Sequence, residues 1–518
     1  MRIKGILTKV LASVMIAGLF ITGSLGEEVK AVNDFIFYNN VLLKAKDFVN
    51  GITLDSKKNM PEIVVREDER FFEWDNEKRA LPKKKYLFEW SYYNGVVFEG
   101  LKYIYDLTGD EAYYKYAKEY MKAMITNGEL NTYAGYVSTH GLDCYKTASL
   151  LLDFVDFNSP DYESDEFYKV AATLYNDLTG NNAEGYTEES IGGNYWHSWI
   201  DGKAPAYKVW LDGLYMAQPF MAEYAYYTKD TKQLDKITAR FKWMAENMVE
   251  PGTGLYYHAA NSAEDVVDFH WTRALGWHLM ALVDVMSYME GENLETLKQI
   301  FKDTIDAVIK YQDEKTGMWA NLIDEKVTAT NRLEVSGTSM ISYSIAKAVR
   351  NGWLEDADDV YMKVSMKAFA GMVINKLGSN GLKDIYFKAS ASGKNNYEDT
   401  RYYYTNEGKG LGPFIMAYAE LLAFYNADSV KAESLMDAIE ASGLTVPVTT
   451  PLESTVTTES IVTAESIGVS ESVTMPEPEV AEEVETNYKG KKVTQLIIGA
   501  VAVAGVATAT VLVLKKKK

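Results

Sequence analysis

The sequence predicts an all-α protein, a closed barrel of six helical hairpins followed by a disordered stalk and a C-terminal transmembrane helix. Three observations predict it. From about residue 90 to 430, apolar residues recur at helical spacing with few interrupting prolines. Strand-like alternation is scarce over the same stretch. The loops Thr253-Gly254-Leu255-Tyr256, Thr316-Gly317-Met318-Trp319 and Asn380-Gly381-Leu382-Lys383 are alike and lie 63 and 64 residues apart. Each follows a polar-faced helix and leads to an apolar helix rich in Gly, Ala, Ser and Tyr. Such inner helices are expected to begin near Tyr93, Asp143, Asp212, Ala274, Gly337 and Leu411. Six of them, each with an outer partner, fit a closed ring. An open solenoid has the same kind of period, and the repeat alone leaves both architectures standing.

Taken in order, residues 1–31 carry Arg2, Lys4 and Lys9, an apolar run from Val10 to Thr22, and then small and polar residues, the order of a secretory signal peptide. Residues 32–444 hold the helical period and form the expected barrel domain. Residues 445–492 are rich in Thr, Ser, Val, Glu and Pro, with nine glutamates and no Lys or Arg before Lys489. They cannot bury enough apolar surface to order themselves and read as a stalk. Residues 493–514 are 22 uncharged positions, long enough to span a bilayer, and Lys515–Lys518 would form a cytoplasmic tail. The expectation is a domain on the extracellular face of the cell membrane, exported by its signal peptide and held by a single-pass C-terminal anchor.

Composition narrows the function. The 518 residues include 73 acidic and 53 basic side chains, a net charge of -20. Residues 27–445 account for 64 acidic and 43 basic residues, so the charge belongs to the barrel. A nucleic-acid partner is therefore not expected, since such proteins cluster Lys and Arg against phosphates. The single cysteine, Cys144, rules out an intramolecular disulfide and any cysteine-built metal centre. The five histidines include no HExxH pattern. No metal or cofactor is expected, and the sequence sets no expectation for oligomeric state. The 37 tyrosines and 10 tryptophans would suit a carbohydrate enzyme.

Residues at the starts of equivalent inner helices converge at one end of a ring, where helix amino termini favour anionic ligands. Asp143, Asp212, Arg273 and Thr338 hold roughly corresponding places. Asp212 lies in an apolar run, Tyr207 to Phe220, where ionisation is costly and the pKa rises toward acid/base work. An aspartate there also reads as an N-cap. Asp143 invites the same two readings. Arg273 could fork onto a substrate carboxylate or pair with a structural aspartate. His258 could bond a sugar or brace a loop. Trp196, Trp210, Trp271 and Trp319 could stack on sugar rings or simply pack.

The string Gly192-Gly-Asn-Tyr-Trp-His197, followed by Val209-Trp-Leu-Asp-Gly-Leu-Tyr-Met-Ala-Gln-Pro-Phe220, resembles the unsaturated rhamnogalacturonyl hydrolases, glycoside hydrolase family 105, related to the unsaturated glucuronyl hydrolases of family 88. Gly254 to His258, Trp271-Thr-Arg273, Leu333 to Met340 and Gly410 to Tyr418 match in the same order, so the resemblance spans about 90–425. It implies an (α/α)6 barrel and a hydrolase that releases the terminal 4,5-unsaturated uronic acid from acidic oligosaccharides left by a pectin lyase, by hydrating the vinyl ether. It places the catalytic acid/base on Asp212, a supporting role on Asp143, and substrate contacts on His258, Trp271 and Arg273, with Trp210, His197 and Thr338 beside them. Two stretches depart from the family pattern: Asn261 to Asp268, and Cys144-Tyr145-Lys146 after Asp143. Rival readings are a glucuronyl hydrolase acting on glycosaminoglycan-type fragments, a non-catalytic sugar-binding surface protein, and a lyase or epimerase on the same barrel.

Overall fold

The computed structural model describes residues 90–126, 141–180, 186–198, 206–378 and 381–444, most of 41–49, and the backbone of 485–488 and 491–494. Among the described residues, six helical pairs run through the first unit, residues 1–448. They are α1 (Tyr92–Thr108) with α2 (Glu111–Thr126), α3 (Ser149–Leu152) with α4 (Glu166–Thr179), and α5 (Leu211–Thr228) with α6 (Thr231–Asn247). Then come α7 (Thr272–Met286) with α8 (Gly291–Val308), α9 (Val335–Arg350) with α10 (Val360–Asn375), and α11 (Gly408–Ala427) with α12 (Ser429–Ala441).

The first member of each pair is the inner one. Every residue of α7 is buried, and so are most residues of α5, α9 and α11. By contrast α6 and α8 bury one stripe, as amphipathic outer helices do. Successive inner helices pack side by side, α5 on α7, α7 on α9, α9 on α11, and α11 returns to α1. The ring is therefore closed, and the solenoid reading is set aside. Its closure depends on two glycines. A Cβ on Gly412 would lie 2.6 Å from the Val96 carbonyl oxygen, and one on Gly100 would lie 3.0 Å from the Gly412 carbonyl, so α1 and α11 meet backbone to backbone.

The second pair is the irregular one. Where an inner helix was expected from Asp143, the chain makes two 3-10 turns, Leu142–Cys144 and Lys146–Ala148, before the single α-turn of α3. Lys146 is buried, and its Nζ lies 2.6 Å from Glu99 of α1. Ion pairs continue along the inside, Lys347 with Asp284 at 2.8 Å and Arg350 with Glu420 at 2.6 Å.

Short strands decorate the end where inner helices begin. β1 (Val209–Trp210), β2 (Ala259–Ser262) and β3 (Asp265–Val266) form an antiparallel sheet in that order, with Trp210 opposite Ala259. The departing stretch 261–268 is thus the β2–β3 hairpin. Asn261 ties it to β1 by accepting from the Lys208 amide and donating to the Ala206 carbonyl. β4 (Trp319–Ala320) pairs with β5 (Leu333–Glu334), β6 (Leu377–Gly378) with β7 (Gly381–Leu382), and β8 (Ile385–Tyr386) with β9 (Tyr403–Tyr404).

The second unit, residues 449–518, is described only at a backbone hairpin, β10 (Glu485–Tyr488) with β11 (Lys491–Thr494). This corrects the expectation at its edges. The last stalk residues pair as strands, and Val493 and Thr494, read as the start of a helix, are extended. The strands are separated by Lys489 and Gly490, the two-residue spacing ending in glycine that favours hairpins. The rest of 493–514, and all of 1–31, lie outside the described residues. Among those described, no helix is long and apolar enough to cross a membrane.

Candidate active site

One hydrogen bond recurs around the barrel and builds the site. In four of the six pairs the loop that leaves the outer helix folds back over the start of its own inner helix, and its carbonyl accepts from the first amide there. Leu142 donates to His197, Leu211 to His258, Thr272 to Asn321 (3.0 Å each) and Val335 to Asp384 (3.2 Å). The residue after each donor is Asp143, Asp212, Arg273 and Ser336 in turn. Each hairpin thus sets one inner-helix side chain beside one loop residue, and in two of them the result is an acid–histidine pair. Asp143 Oδ1 lies 3.6 Å from His197 Nε2, and Asp212 Oδ2 lies 3.5 Å from His258 Nδ1.

This geometry decides several of the open readings. Asp212 is not an N-cap. Trp210 holds that place, and Asp212 is the second residue of α5, side chain 7% exposed. Nor does Asp143 cap a helix; Gly141 precedes its 3-10 turn, and the carboxylate is 45% exposed. Thr338 is corrected. The position equivalent to Asp212 and Arg273 is Ser336, and Thr338, two residues on, is sealed in packing. Its hydroxyl donates to the Glu334 carbonyl at 2.6 Å and accepts from the Trp319 amide at 3.1 Å. Trp319 is likewise fully buried, its indole N–H on the Val308 carbonyl.

The remaining predicted residues come together. His197 stacks on Trp210 at 4.4 Å, and Trp210 meets His258 at 4.9 Å. His258 in turn meets Trp271 edge-on at 5.1 Å, and the Arg273 guanidinium lies 4.2 Å over the Trp271 ring. Arg273 does not pair with an aspartate, and its fork is turned into the protein. Nη2 donates to the Phe387 and Lys388 carbonyls at 3.0 and 3.1 Å, and Nη1 reaches Ser336 Oγ at 3.5 Å. The expected forked contact with a carboxylate is thus replaced by a buried charge that anchors residues 387–388, with Nε left over. Trp196 stands at the edge, half-buried, donating to Glu188 at 3.0 Å.

Burial dominates the electrostatics. It pushes the Asp212 carboxyl up to about 6, a rise opposed by the charges of His197 and Arg273 and reinforced by Asp143. Burial holds the His258 imidazole well below its ordinary value, and the charges of His197 and Arg273 act in the same direction, so at neutral pH it is uncharged. Among the described residues, five buried polar atoms here have no hydrogen-bond partner: His197 Nδ1, Asp212 Oδ2, His258 Nδ1 and Nε2, and Arg273 Nε. Each such atom costs roughly 1–3 kcal/mol. Their convergence around one carboxyl is a surface prepared for a polar ligand. Cys144 is free and half-buried, and burial raises its thiol, so it remains protonated and unreactive.

Sequence reasoning missed residues that build this site. Asn321 is fully buried; its Oδ1 accepts from the Trp271 indole at 2.9 Å and its Nδ2 donates to the Tyr397 carbonyl at 3.0 Å. Tyr397, from the stretch between β8 and β9, packs on Trp271 at 4.8 Å. Glu334 caps α9 through the Ser336 and Gly337 amides and also accepts from the Tyr386 amide, tying that stretch to the ring. A signal for Asn321 was present. It stands four residues after Gly317, as His258 does after Gly254 and His197 after Gly193. Among the described residues, no group of three or more His, Cys, Asp or Glu is arranged to hold a metal ion.

Comparison with known proteins gives this arrangement its class. Residues 64–425 match the model of Glycosyl Hydrolase Family 88, and the chain belongs to that family. It is a glycoside hydrolase of the group acting on unsaturated uronides. It is 29% identical over 231 residues to Protein Atu3128 of Agrobacterium fabrum (strain C58 / ATCC 33970), covering 40% of this chain and 98% of that one. It is 22% identical over 264 residues to the unsaturated rhamnogalacturonyl hydrolase YesR of Bacillus subtilis (strain 168), covering 50% and 70%. A family 105 glycoside hydrolase of C. acetobutylicum ATCC 824 superposes with a TM-score of 0.55 at 26% identity, covering 69% and 98%.

Proposed function

We propose that the protein removes the terminal 4,5-unsaturated uronic acid from rhamnogalacturonan oligosaccharides produced by a pectin lyase, with Asp212 as acid and base. The observation that carries this is the Asp212 carboxyl, buried at the head of α5, raised to about 6 and set 3.5 Å from an uncharged histidine. A carboxyl so placed holds a proton near neutrality and can deliver it. In the proposed reaction Asp212 gives its proton to C4 of the vinyl ether and takes one from the water that adds at C5, so its own state is restored. The C5 hemiketal opens to a ketone, leaving a hemiacetal at C1 that expels the shortened oligosaccharide as an alcohol. Asp143, held near His197, supports the water. The charge of Arg273 and the unpartnered nitrogens of His258 and Arg273 receive the uronate in a domain whose overall charge would repel it.

The similarity to YesR and to the family 105 structure supports the pectin-type substrate. The test is the ultraviolet absorbance of the unsaturated uronate, followed on lyase-treated rhamnogalacturonan and, in parallel, lyase-treated hyaluronan. Loss on the first alone, absent in Asp212→Asn, is the expected result. Loss on hyaluronan alone moves the substrate to glycosaminoglycan fragments, and no loss on either overturns the hydrolase reading. We also propose that the reaction takes place outside the cell, on the strength of the leader-like 1–31 and the apolar 493–514. Protease accessibility of the barrel on intact cells tests this.

A further inference from the structure

A cavity of about 310 Å³ opens on the outer side of the barrel, between the end of α4 and the start of α6. Its charged lining residues are Lys236 and Arg240, and among the described residues no carboxylate lines it. That is unusual in a domain so strongly acidic. Arg240 is only 5% exposed. Its Nε donates to the Gly193 carbonyl at 3.0 Å and its Nη1 to Gln218 at 3.1 Å, while its guanidinium lies 4.4 Å over the Tyr195 ring. Those contacts fix the group, and among the described residues no hydrogen bond engages Nη2. Gln233, 4% exposed and also in the wall, has a buried side-chain Nε2 with no hydrogen-bond partner among the described residues. Thr179 also lines the cavity, its hydroxyl donating to the Tyr175 carbonyl at 2.8 Å.

From this geometry we infer a second, oxyanion-binding site, separate from the catalytic end, that takes the carboxylate of an acidic sugar. A fixed guanidinium, a mobile ammonium and an amide N–H converging on one cavity supply the donors that a carboxylate accepts from. Placed on the outer wall, the site would hold an acidic chain against a domain whose net field otherwise repels it. It is also joined to the catalytic end, since Tyr195 in its wall is two residues from His197. The inference does not rest on the hydration reaction and survives its failure.

The test is calorimetric titration of the full chain with saturated digalacturonate, with sodium sulfate at matched ionic strength, and with maltose as neutral control. Lys236 is exposed, so Lys236→Glu leaves the fold intact, and it should weaken digalacturonate binding about fivefold or more. Hydrolysis of unsaturated substrate by the same variant should be unchanged, and Asp212→Asn should leave this binding as it is. Sulfate competing for the Lys236-dependent site identifies any oxyanion as sufficient; digalacturonate binding without sulfate competition identifies the sugar acid as the ligand. Absence of any anion binding that depends on Lys236, or equal binding of maltose, overturns the inference.

Discussion

Replacing Asp212 by asparagine removes a carboxyl whose ionisation the fold opposes. The folded value of about 6 stands above the ordinary 3.8, so between those limits the folded protein binds a proton that the unfolded chain has lost. Stability therefore falls as pH rises from about 4 to 6, and the whole cost of ionising the buried group is present above that range. At roughly 1.4 kcal/mol for each tenfold change in proton affinity, the cost is about 3 kcal/mol. The uncharged, nearly isosteric amide escapes it. Asp212→Asn should thus be inactive yet more stable than the native protein at pH 8, and no more stable at pH 4. With ~2.1 cal/mol/K of unfolding entropy per residue over about 400 residues, the rise in Tm at pH 8 is about 3–4 °C. Thermal melts of both proteins at the two pH values decide it. Equal melting at pH 8, or the same gain at both pH values, would refute the claim that burial governs this carboxyl.

Three further outcomes are expected. If protonated Asp212 is the acid, kcat on unsaturated substrate falls tenfold per pH unit above about 6, and a rate that stays flat to pH 8 removes it from that role. Asn321→Leu leaves the Trp271 indole and the Tyr397 carbonyl unpaired, and at roughly 1–3 kcal/mol for a buried orphan it should lower stability by about 2–4 kcal/mol in a denaturant melt and raise KM more than it lowers kcat. Arg273→Lys keeps the charge but loses the planar fork on Phe387 and Lys388, so limited proteolysis should cut faster between 388 and 402 and activity should fall at least about tenfold.

The barrel was legible because it repeats. Thr253-Gly254 and Thr316-Gly317 recur with helices between them, and the starts expected near Tyr93, Asp212, Ala274, Gly337 and Leu411 fall within three residues of the observed ones. What the repeat did not reveal was register within the first turn. Trp210 and Trp271 cap two inner helices, while Glu334 and Glu407 cap two others, so no residue type marks the same place in each. The expectation at Thr338 therefore lies two residues beyond the equivalent position, which is Ser336. The 3-10 turns around Asp143 carry no mark in the sequence, because the apolar spacing of Leu142, Tyr145 and Ala148 suits either kind of turn. Tyr397 and the stretch between β8 and β9 belong to no repeat, and only the folded chain brings them to Trp271.

The recurring amide-to-carbonyl closure gives the mouth of the barrel a direction. Going round from one hairpin to the next, the side chain offered at the same place is acid, acid, base, hydroxyl: Asp143, Asp212, Arg273, Ser336. At α11 the second residue is Lys409, a cation held 2.5 Å from Glu407 and 4.1 Å over Phe387, the residue whose carbonyl Arg273 grips. Five of the six hairpins thus carry an unequal sequence of charges, and the rim is polarised from one side to the other. A neutral sugar would find no preferred azimuth in such a rim, but a sugar acid would, its carboxylate turned toward Arg273 and its opposite edge toward the two aspartates. Orientation here is written in the order of the hairpins along the chain.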